Sequence, residues 1–159
     1  MSEILLFTDG SVNVQTKIGF GACLAIHNFD MPVEEAKTLV KTHQFDNTSS
    51  TKLELETLLW ALSEIPAGTN KITVYTDSQN IAKLPGRRKK LEQNNYQSKN
   101  GRLMNNYELY QKFYQMMDAL NCDLIKVTGH QPSRKKDKIH RLFALVDKAS
   151  RKALRNSYY

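Results

Sequence analysis

Apolar runs separated by polar turns divide the first half of the chain into predicted strands. Residues 4–7 (ILLF) are apolar at every position, which is typical of a strand buried on both faces. We expect this strand to close in a polar turn at residues 8–11. A second apolar run, residues 19–27, is its expected hairpin partner, and a third strand is predicted within residues 37–45.

The second half of the chain alternates between helical and strand patterns. Leucines at helical spacing predict a helix over residues 53–65, and Pro66 with Gly68 marks its end. The other predicted elements are strands at 71–75 and 122–128, a short helix through Ile81, and helices at 107–120 and from about 139. Neighbouring strands followed by strand–helix alternation indicate an α/β fold, a five-stranded mixed sheet flanked by helices. At 159 residues without an internal repeat, we expect one domain spanning residues 1–159.

Charge is distributed unevenly between the two halves. The chain carries a formal net charge of +7. Residues 1–82 hold five basic and ten acidic residues, whereas residues 83–159 hold eighteen and six. A strongly basic half predicts a polyanionic partner, although a merely solubilising surface is the alternative.

Several classes of protein are excluded. No apolar run reaches the length of a membrane span, and the first residues do not form a signal peptide, so we expect a cytoplasmic protein without membrane association. Cys23 and Cys122 lie in separate strand-like runs and are expected to be free thiols. The sequence contains no G-x-S-x-G elbow, phosphate loop or dinucleotide-binding glycine pattern.

Two aspartates follow predicted strands in nearly identical settings. Asp9 lies in Phe-Thr-Asp-Gly-Ser and Asp77 in Tyr-Thr-Asp-Ser-Gln. Ligands of open α/β sheets gather outside the carboxyl ends of strands, so the two acids can share one crevice. Carboxylate oxygens suit Mg²⁺, and two metal ions roughly 4 Å apart can promote phosphodiester cleavage. The alternative is that both are ordinary strand-to-turn residues.

Three further polar residues have structural as well as functional interpretations. Glu54 can face a strand end from the first helical turn, but Thr51 and Glu54 also match a capping box. Asp147 lies at the edge of an apolar helical stripe, where it can equally pair with Arg151. His130 follows a strand and a glycine; it can carry protons or be plain polar surface.

Taken in order, these motifs resemble the type 1 ribonuclease H family. The matching segments are Thr8-Asp9-Gly10-Ser11, Lys52-Leu53-Glu54-Leu55, Thr76-Asp77-Ser78-Gln79 and Val127-Thr128-Gly129-His130. Residues 147–153 resemble that family's closing Asp-x-Ala-x-x-Ala segment. Each tetrapeptide alone is weakly specific, but four in order on a matching pattern of elements cover nearly the whole chain.

The resemblance implies an endonuclease, expected as a monomer, that cuts the RNA strand of RNA–DNA hybrids with two Mg²⁺ ions, for which Mn²⁺ is a possible substitute. It implies Asp9, Glu54, Asp77 and Asp147 as metal ligands, and His130 as an aid to proton transfer or product release. Residues 83–102 fall where members carry a basic protrusion that grips the DNA strand. The implied substrate-binding residues are Ser11, Asn13, Ser50, Thr51, Gln79, Arg87, Arg88, Lys89 and Lys90.

The sequence also departs from the family pattern. Ser50 and Thr51 stand where many members have an Asn-Asn pair, and Tyr96 is the only aromatic residue in the basic stretch. The segment after His130 is longer than usual, which makes Asp137 a rival to Asp147 as fourth ligand. A DNA-cutting nuclease of the same fold and a non-catalytic nucleic-acid-binding module remain alternatives.

Overall fold

The protein forms one mixed sheet with helices on both faces. The computed structural model describes residues 2–128 and 137–158. The strands are β1 (Glu3–Asn13), β2 (Ile18–Ile26), β3 (Lys41–Phe45), β4 (Lys71–Thr76) and β5 (Cys122–Lys126), in the order β3-β2-β1-β4-β5. The helices are α1 (Val33–Lys37), α2 (Ser50–Ser63), α3 (Gln79–Gln93), α4 (Tyr107–Ala119) and α5 (Lys138–Asn156). The predicted five-stranded α/β architecture is confirmed.

The central strand β1 is longer than its apolar run. It pairs with β4 in parallel only as far as Phe7, opposite Tyr75, but it pairs with β2 in antiparallel register as far as Asn13, opposite Ile18. The predicted polar turn at residues 8–11 is therefore wrong. Hydrogen bonding to β2 continues the strand beyond its hydrophobic part, and the chain reverses only at residues 14–17.

Alternation along the strands builds a core on each face of the sheet. Ile4 and Leu6 of β1 are buried in a cluster with apolar residues of α2, α3 and α4. Phe7, stacked on Tyr75 with ring centroids 4.7 Å apart, belongs to a second cluster under α1 and α5. Because adjacent strand residues point to opposite faces, the apolar run of β1 serves both cores.

Two helices differ from the sequence prediction. The short helix expected through Ile81 extends to Gln93 and includes much of the basic stretch, because Ile81, Leu84 and Leu91 are buried along one side. The five-residue helix α1, with Ala36 buried, was not predicted. None of the helices in the described residues has the length and apolar character required to cross a membrane.

Candidate active site

Asp9 and Asp77 lie at the same edge of the sheet. Asp77 follows β4 directly, and Asp9 lies two residues beyond Phe7, where the pairing of β1 with β4 ends. Asp9 is half-buried within β1, opposite Ala22 of β2, whereas Asp77 is exposed. The topology thus presents two carboxylates from neighbouring parallel strands.

Close packing of α2 on two glycines places Glu54 beside this edge. A Cβ atom at Gly10 would lie 2.9 Å from Leu53 Cδ2, and one at Gly19 would lie 2.8 Å from the same atom. Leu53 is fully buried in the space that these glycines leave open. Glycine at position 10 therefore allows a helix to approach the sheet, and the next residue of that helix is Glu54.

The predicted capping box at the start of α2 is wrong. The cap is Ser49, whose side chain accepts a hydrogen bond from the Lys52 amide at 3.3 Å. Because the helix begins before Thr51, the Glu54 side chain does not lie at the position of a capping-box glutamate. Instead, Glu54 Oε2 accepts a hydrogen bond of 2.7 Å from Ser78 Oγ, which ties α2 to the residue after Asp77.

Burial and mutual repulsion perturb three of these acids. The pKa of Asp9 is raised to about 8, first by burial, next by the charge of Asp77, and further by Asp147. Although much of the Asp77 residue is exposed, desolvation of its carboxyl group and the charge of Asp147 also raise its pKa, while Lys126 opposes that rise. The pKa of Glu54 is raised by burial, with a smaller contribution from Asp77 and an opposing one from the Ser78 hydrogen bond. Burial and repulsion between the acids therefore outweigh the opposing effect of Lys126 and disfavour the ionised form of these three side chains.

Asp147 approaches the cluster from α5. Its side chain lies close enough to Asp9 to contribute to the raised pKa of that residue, and its Oδ1 lies 3.0 Å from Arg151 Nε. The alternative pairing of Asp147 with Arg151 is thus present together with the contact to Asp9. One turn later, Ser150 donates to the Asp147 carbonyl at 3.1 Å and lies 3.1 Å from Ser11 Oγ, which fastens α5 to β1.

The rival ligand Asp137 is engaged elsewhere. It is the N-cap of α5 and accepts bonds from the His140 amide at 3.2 Å and from the His140 ring at 2.8 Å. The helix predicted from about residue 139 begins at Lys138, and Asp137 directly precedes it. The other ring nitrogen of His140 lies 3.0 Å from the Thr128 carbonyl. His130 lies outside the described residues.

The donor set suits hard divalent cations. Four carboxylates from β1, α2, α5 and the end of β4 supply only oxygen ligands, which Mg²⁺ prefers. A bound cation would offset the repulsion that raises the pKa values of Asp9, Glu54 and Asp77. Within residues 2–128 and 137–158, no three His, Cys, Asp or Glu side chains form a ready-made metal cluster. The four carboxylates are nonetheless close enough for Asp77 and Asp147 to act on the pKa of Asp9 and for Asp77 to act on that of Glu54.

Comparison with protein families identifies the chain. The family model for RNase H matches residues 1–150 of the 159. The chain belongs to the RNase H family. A search of curated proteins gives no significant match. Membership in the RNase H family supports nuclease activity on RNA–DNA hybrids in general, and hence binding of such hybrids. Members of the family generally use divalent metal ions.

The residues predicted to bind the RNA strand differ in their exposure and in the hydrogen bonds that they already make. Ser50, Thr51 and Gln79 are exposed at the first turns of α2 and α3. Ser11 is bonded to Ser150, and Asn13 both holds the turn after β1 and donates to the Tyr158 hydroxyl at 2.7 Å. The three exposed residues are accessible to a ligand, and Gln79 lies two residues after Asp77 in the sequence.

The four basic residues predicted to grip DNA fall into two groups. Arg88 makes a bidentate pair with Asp118 at 2.6 and 2.8 Å and lies over the Tyr114 ring at 5.1 Å, so it holds α3 against α4. Arg87 is half-buried, with its guanidinium 5.8 Å from the centre of the Tyr110 ring. Lys89 and Lys90 are exposed. Tyr96 is buried and does not offer a stacking face.

Three residues that contact or influence the site residues were not predicted from the sequence. Ser78 bonds Glu54, Ser150 bonds Ser11, and Lys126 acts on Asp77. Lys126 lies at the end of β5, opposite Thr76 in the parallel register of β4 and β5. Its place at a strand end is the signal from which its proximity to Asp77 could have been predicted. The two serines depend on contacts between distant elements, which a local pattern does not show.

Proposed function

We propose that this RNase H hydrolyses the RNA strand of RNA–DNA hybrids as a single-domain endonuclease with two divalent cations, Mg²⁺ or in its place Mn²⁺. The observation that supports the proposal is a set of interacting carboxylates at one edge of the sheet: burial, Asp77 and Asp147 raise the pKa of Asp9 to about 8, and Asp77 also acts on Glu54. In a chain of net charge +7, such a local concentration of acid opposes nucleic-acid binding unless cations neutralise it.

Each carboxylate has a defined part in the proposed mechanism. Bound divalent cations would activate the attacking water and stabilise the departing oxygen of the phosphodiester. Asp9 and Asp77, on neighbouring strands, would hold them from the sheet, and Glu54 and Asp147 from the two faces. His130 is proposed to assist proton transfer or product release, as the family resemblance implies.

The surrounding residues would bind and select the substrate. The exposed side chains Ser50, Thr51 and Gln79 can donate to and accept from ribose 2′-hydroxyl groups, which distinguish RNA from DNA. The exposed Lys89 and Lys90 of α3 can contact phosphates of the other strand. The RNA strand would thus be recognised near the carboxylates, and the hybrid would be held by electrostatic attraction along α3.

A cleavage assay with labelled substrates tests the proposal. An RNA–DNA hybrid, double-stranded RNA and double-stranded DNA are incubated with the protein in Mg²⁺ and in EDTA. We expect cleavage of the hybrid RNA only with Mg²⁺. Asp77→Asn should retain the wild-type circular dichroism spectrum and lose at least about 100-fold in rate, the scale of removing one electrostatic contributor. Asp123→Asn, a change at an exposed ion pair with Lys71, is the matched control.

Other outcomes would identify the alternatives. Cleavage of double-stranded DNA in preference to the hybrid would indicate a DNA nuclease of the same fold. Salt-sensitive binding of all duplexes without product would indicate a binding module. Full activity of Asp77→Asn would refute the assignment of the acidic edge as the active site.

A further inference from the structure

Ser78 lies between the acidic edge and helix α3 and makes bonds to both. It directly follows Asp77 and is only 3% exposed. Its hydroxyl oxygen accepts a bond from the Ile81 amide at 3.1 Å, which caps α3, and the hydroxyl donates to Glu54 Oε2 at 2.7 Å. The Ser78 amide in turn donates to Thr76 Oγ1 at 3.1 Å. The residue is thus held from three sides.

The directions of these bonds follow from the chemistry of the hydroxyl. An amide N–H can only donate, so Ser78 Oγ must be the acceptor from Ile81, and its single hydrogen remains for an acceptor. Glu54 Oε2 supplies that acceptor at a distance expected for an O–H···O⁻ bond. The bond from the Ile81 amide therefore holds Ser78 Oγ in place, and Ser78 Oγ in turn holds Oε2 of Glu54.

We propose that Ser78 is a positioning residue for Glu54: by capping α3 and donating to Oε2, it holds the Glu54 carboxylate in the orientation required for binding divalent cations. The inference rests on the function proposed above, since it assumes that Glu54 is a ligand. Groups that orient metal ligands typically change metal affinity or activity by 10–100-fold when they are removed. Ser78 is such an orienting group for Glu54, the proposed metal ligand that α2 contributes.

Three substitutions separate the two roles of Ser78. Ser78→Thr keeps both the acceptor and the donor. Ser78→Gly and Ser78→Ala both remove the hydroxyl and therefore both bonds, but glycine is tolerated at a helix cap far better than alanine, so Ser78→Gly disturbs α3 less. The matched control is Ser49→Ala, which removes the corresponding cap of α2 without touching the bond between Ser78 and Glu54. Thermal unfolding of each variant in EDTA establishes that it is folded.

Calorimetric titration of each folded protein with Mg²⁺, without nucleic acid, is the primary measurement. We expect Ser78→Gly and Ser78→Ala to weaken Mg²⁺ binding about tenfold or more, and Ser78→Thr and Ser49→Ala to change it less than about threefold. Hybrid cleavage should show the same order, with the loss in Ser78→Gly partly recovered at high Mg²⁺. In a Glu54→Gln background, Ser78→Gly should cause no further loss of Mg²⁺ affinity.

The outcomes distinguish this inference from the proposed function. Wild-type cleavage of the hybrid with unchanged Mg²⁺ affinity in Ser78→Gly would overturn the positioning role and leave the function standing. Equal losses from Ser78→Gly with and without Glu54→Gln would show that Ser78 does not act through Glu54. A wild-type protein that neither binds Mg²⁺ nor cleaves the hybrid would overturn both.

Discussion

Replacing Asp9 by Asn is expected to stabilise the metal-free protein while removing its activity. Asn has nearly the same shape, its amide oxygen can still accept the bond from the Gly10 amide, and its NH₂ can donate to Asp147. The substitution therefore removes a charge from a buried site and little else. A gain in stability is the opposite of what is seen for most substitutions in a core.

The size of the gain follows from the pKa of Asp9. In the unfolded chain an aspartate ionises near 3.8, whereas Asp9 in the fold ionises near 8 because of burial and the charges of Asp77 and Asp147. The fold keeps a proton that the unfolded chain releases, so stability falls as pH rises from about 4 to about 8. At about 1.4 kcal/mol per pKa unit, the penalty above pH 8 has an upper limit of roughly 6 kcal/mol.

Relaxation and coupling among the acids reduce this limit, and we expect Asp9→Asn to recover about 2–4 kcal/mol at pH 9. For a domain of this size, that corresponds to a rise in Tm of about 5–15 °C. Below pH 4 Asp9 is protonated in both states, so the difference between wild type and variant should vanish there. Mg²⁺ should raise the Tm of the wild type more than that of the variant, because binding to the folded state stabilises it.

Thermal unfolding in EDTA from pH 4 to pH 9, followed by circular dichroism, measures the effect. Asp30→Asn, at an exposed position, is the control and should show no such pH-dependent gain. A gain for Asp9→Asn that does not grow with pH, or a loss of stability at pH 9, would refute the argument that burial and neighbouring acids destabilise the ionised Asp9.

Two further predictions divide the basic residues of α3. Arg88→Ala should lower the midpoint of urea unfolding modestly, because Asp118 loses its bidentate partner at a solvent-screened site, and it should leave the salt dependence of hybrid binding unchanged. An Arg88→Ala protein as stable as wild type would show that this ion pair does not hold α3 to α4. Neutralising Lys89 and Lys90 together should leave stability within about 0.5 kcal/mol and reduce the salt slope of hybrid binding by up to about two. An unchanged slope would place the phosphate contacts elsewhere.

The fold could be predicted because its signals are local. The apolar run of β1, the leucines of α2 and the spacing of strands and helices each record burial on a defined face. The end of β1 was missed because pairing with β2, rather than hydrophobicity, carries the strand past Asp9. The length of α3 was not predicted because its three buried apolar residues are separated by many charged ones, so that no clear helical periodicity of apolar residues is visible in the sequence.

The site could be predicted only in outline. Asp9 and Asp77 were found from the repeated strand-end pattern, while Glu54, Asp147 and His130 depended on the family resemblance, and the roles of all five stay predictions. The roles of Ser78 and Arg88 could not be predicted. Ser78 meets Glu54 across 24 residues of sequence, and Arg88 meets Asp118 across 30. Such contacts arise only when helices pack, and no spacing in the sequence encodes them.

The extended pairing of β1 has a consequence for how the protein opens in solution. β1 lies in antiparallel register with β2 over nine residue pairs, and Asp9 is in the middle pair. Central strands of this kind exchange their amide hydrogens only when the whole molecule unfolds, whereas helix ends and loops open in smaller, more frequent events. We therefore expect the amides of β1 around Asp9 to be among the last to exchange in deuterated buffer, later than those at the ends of the helices that bear Glu54 and Asp147.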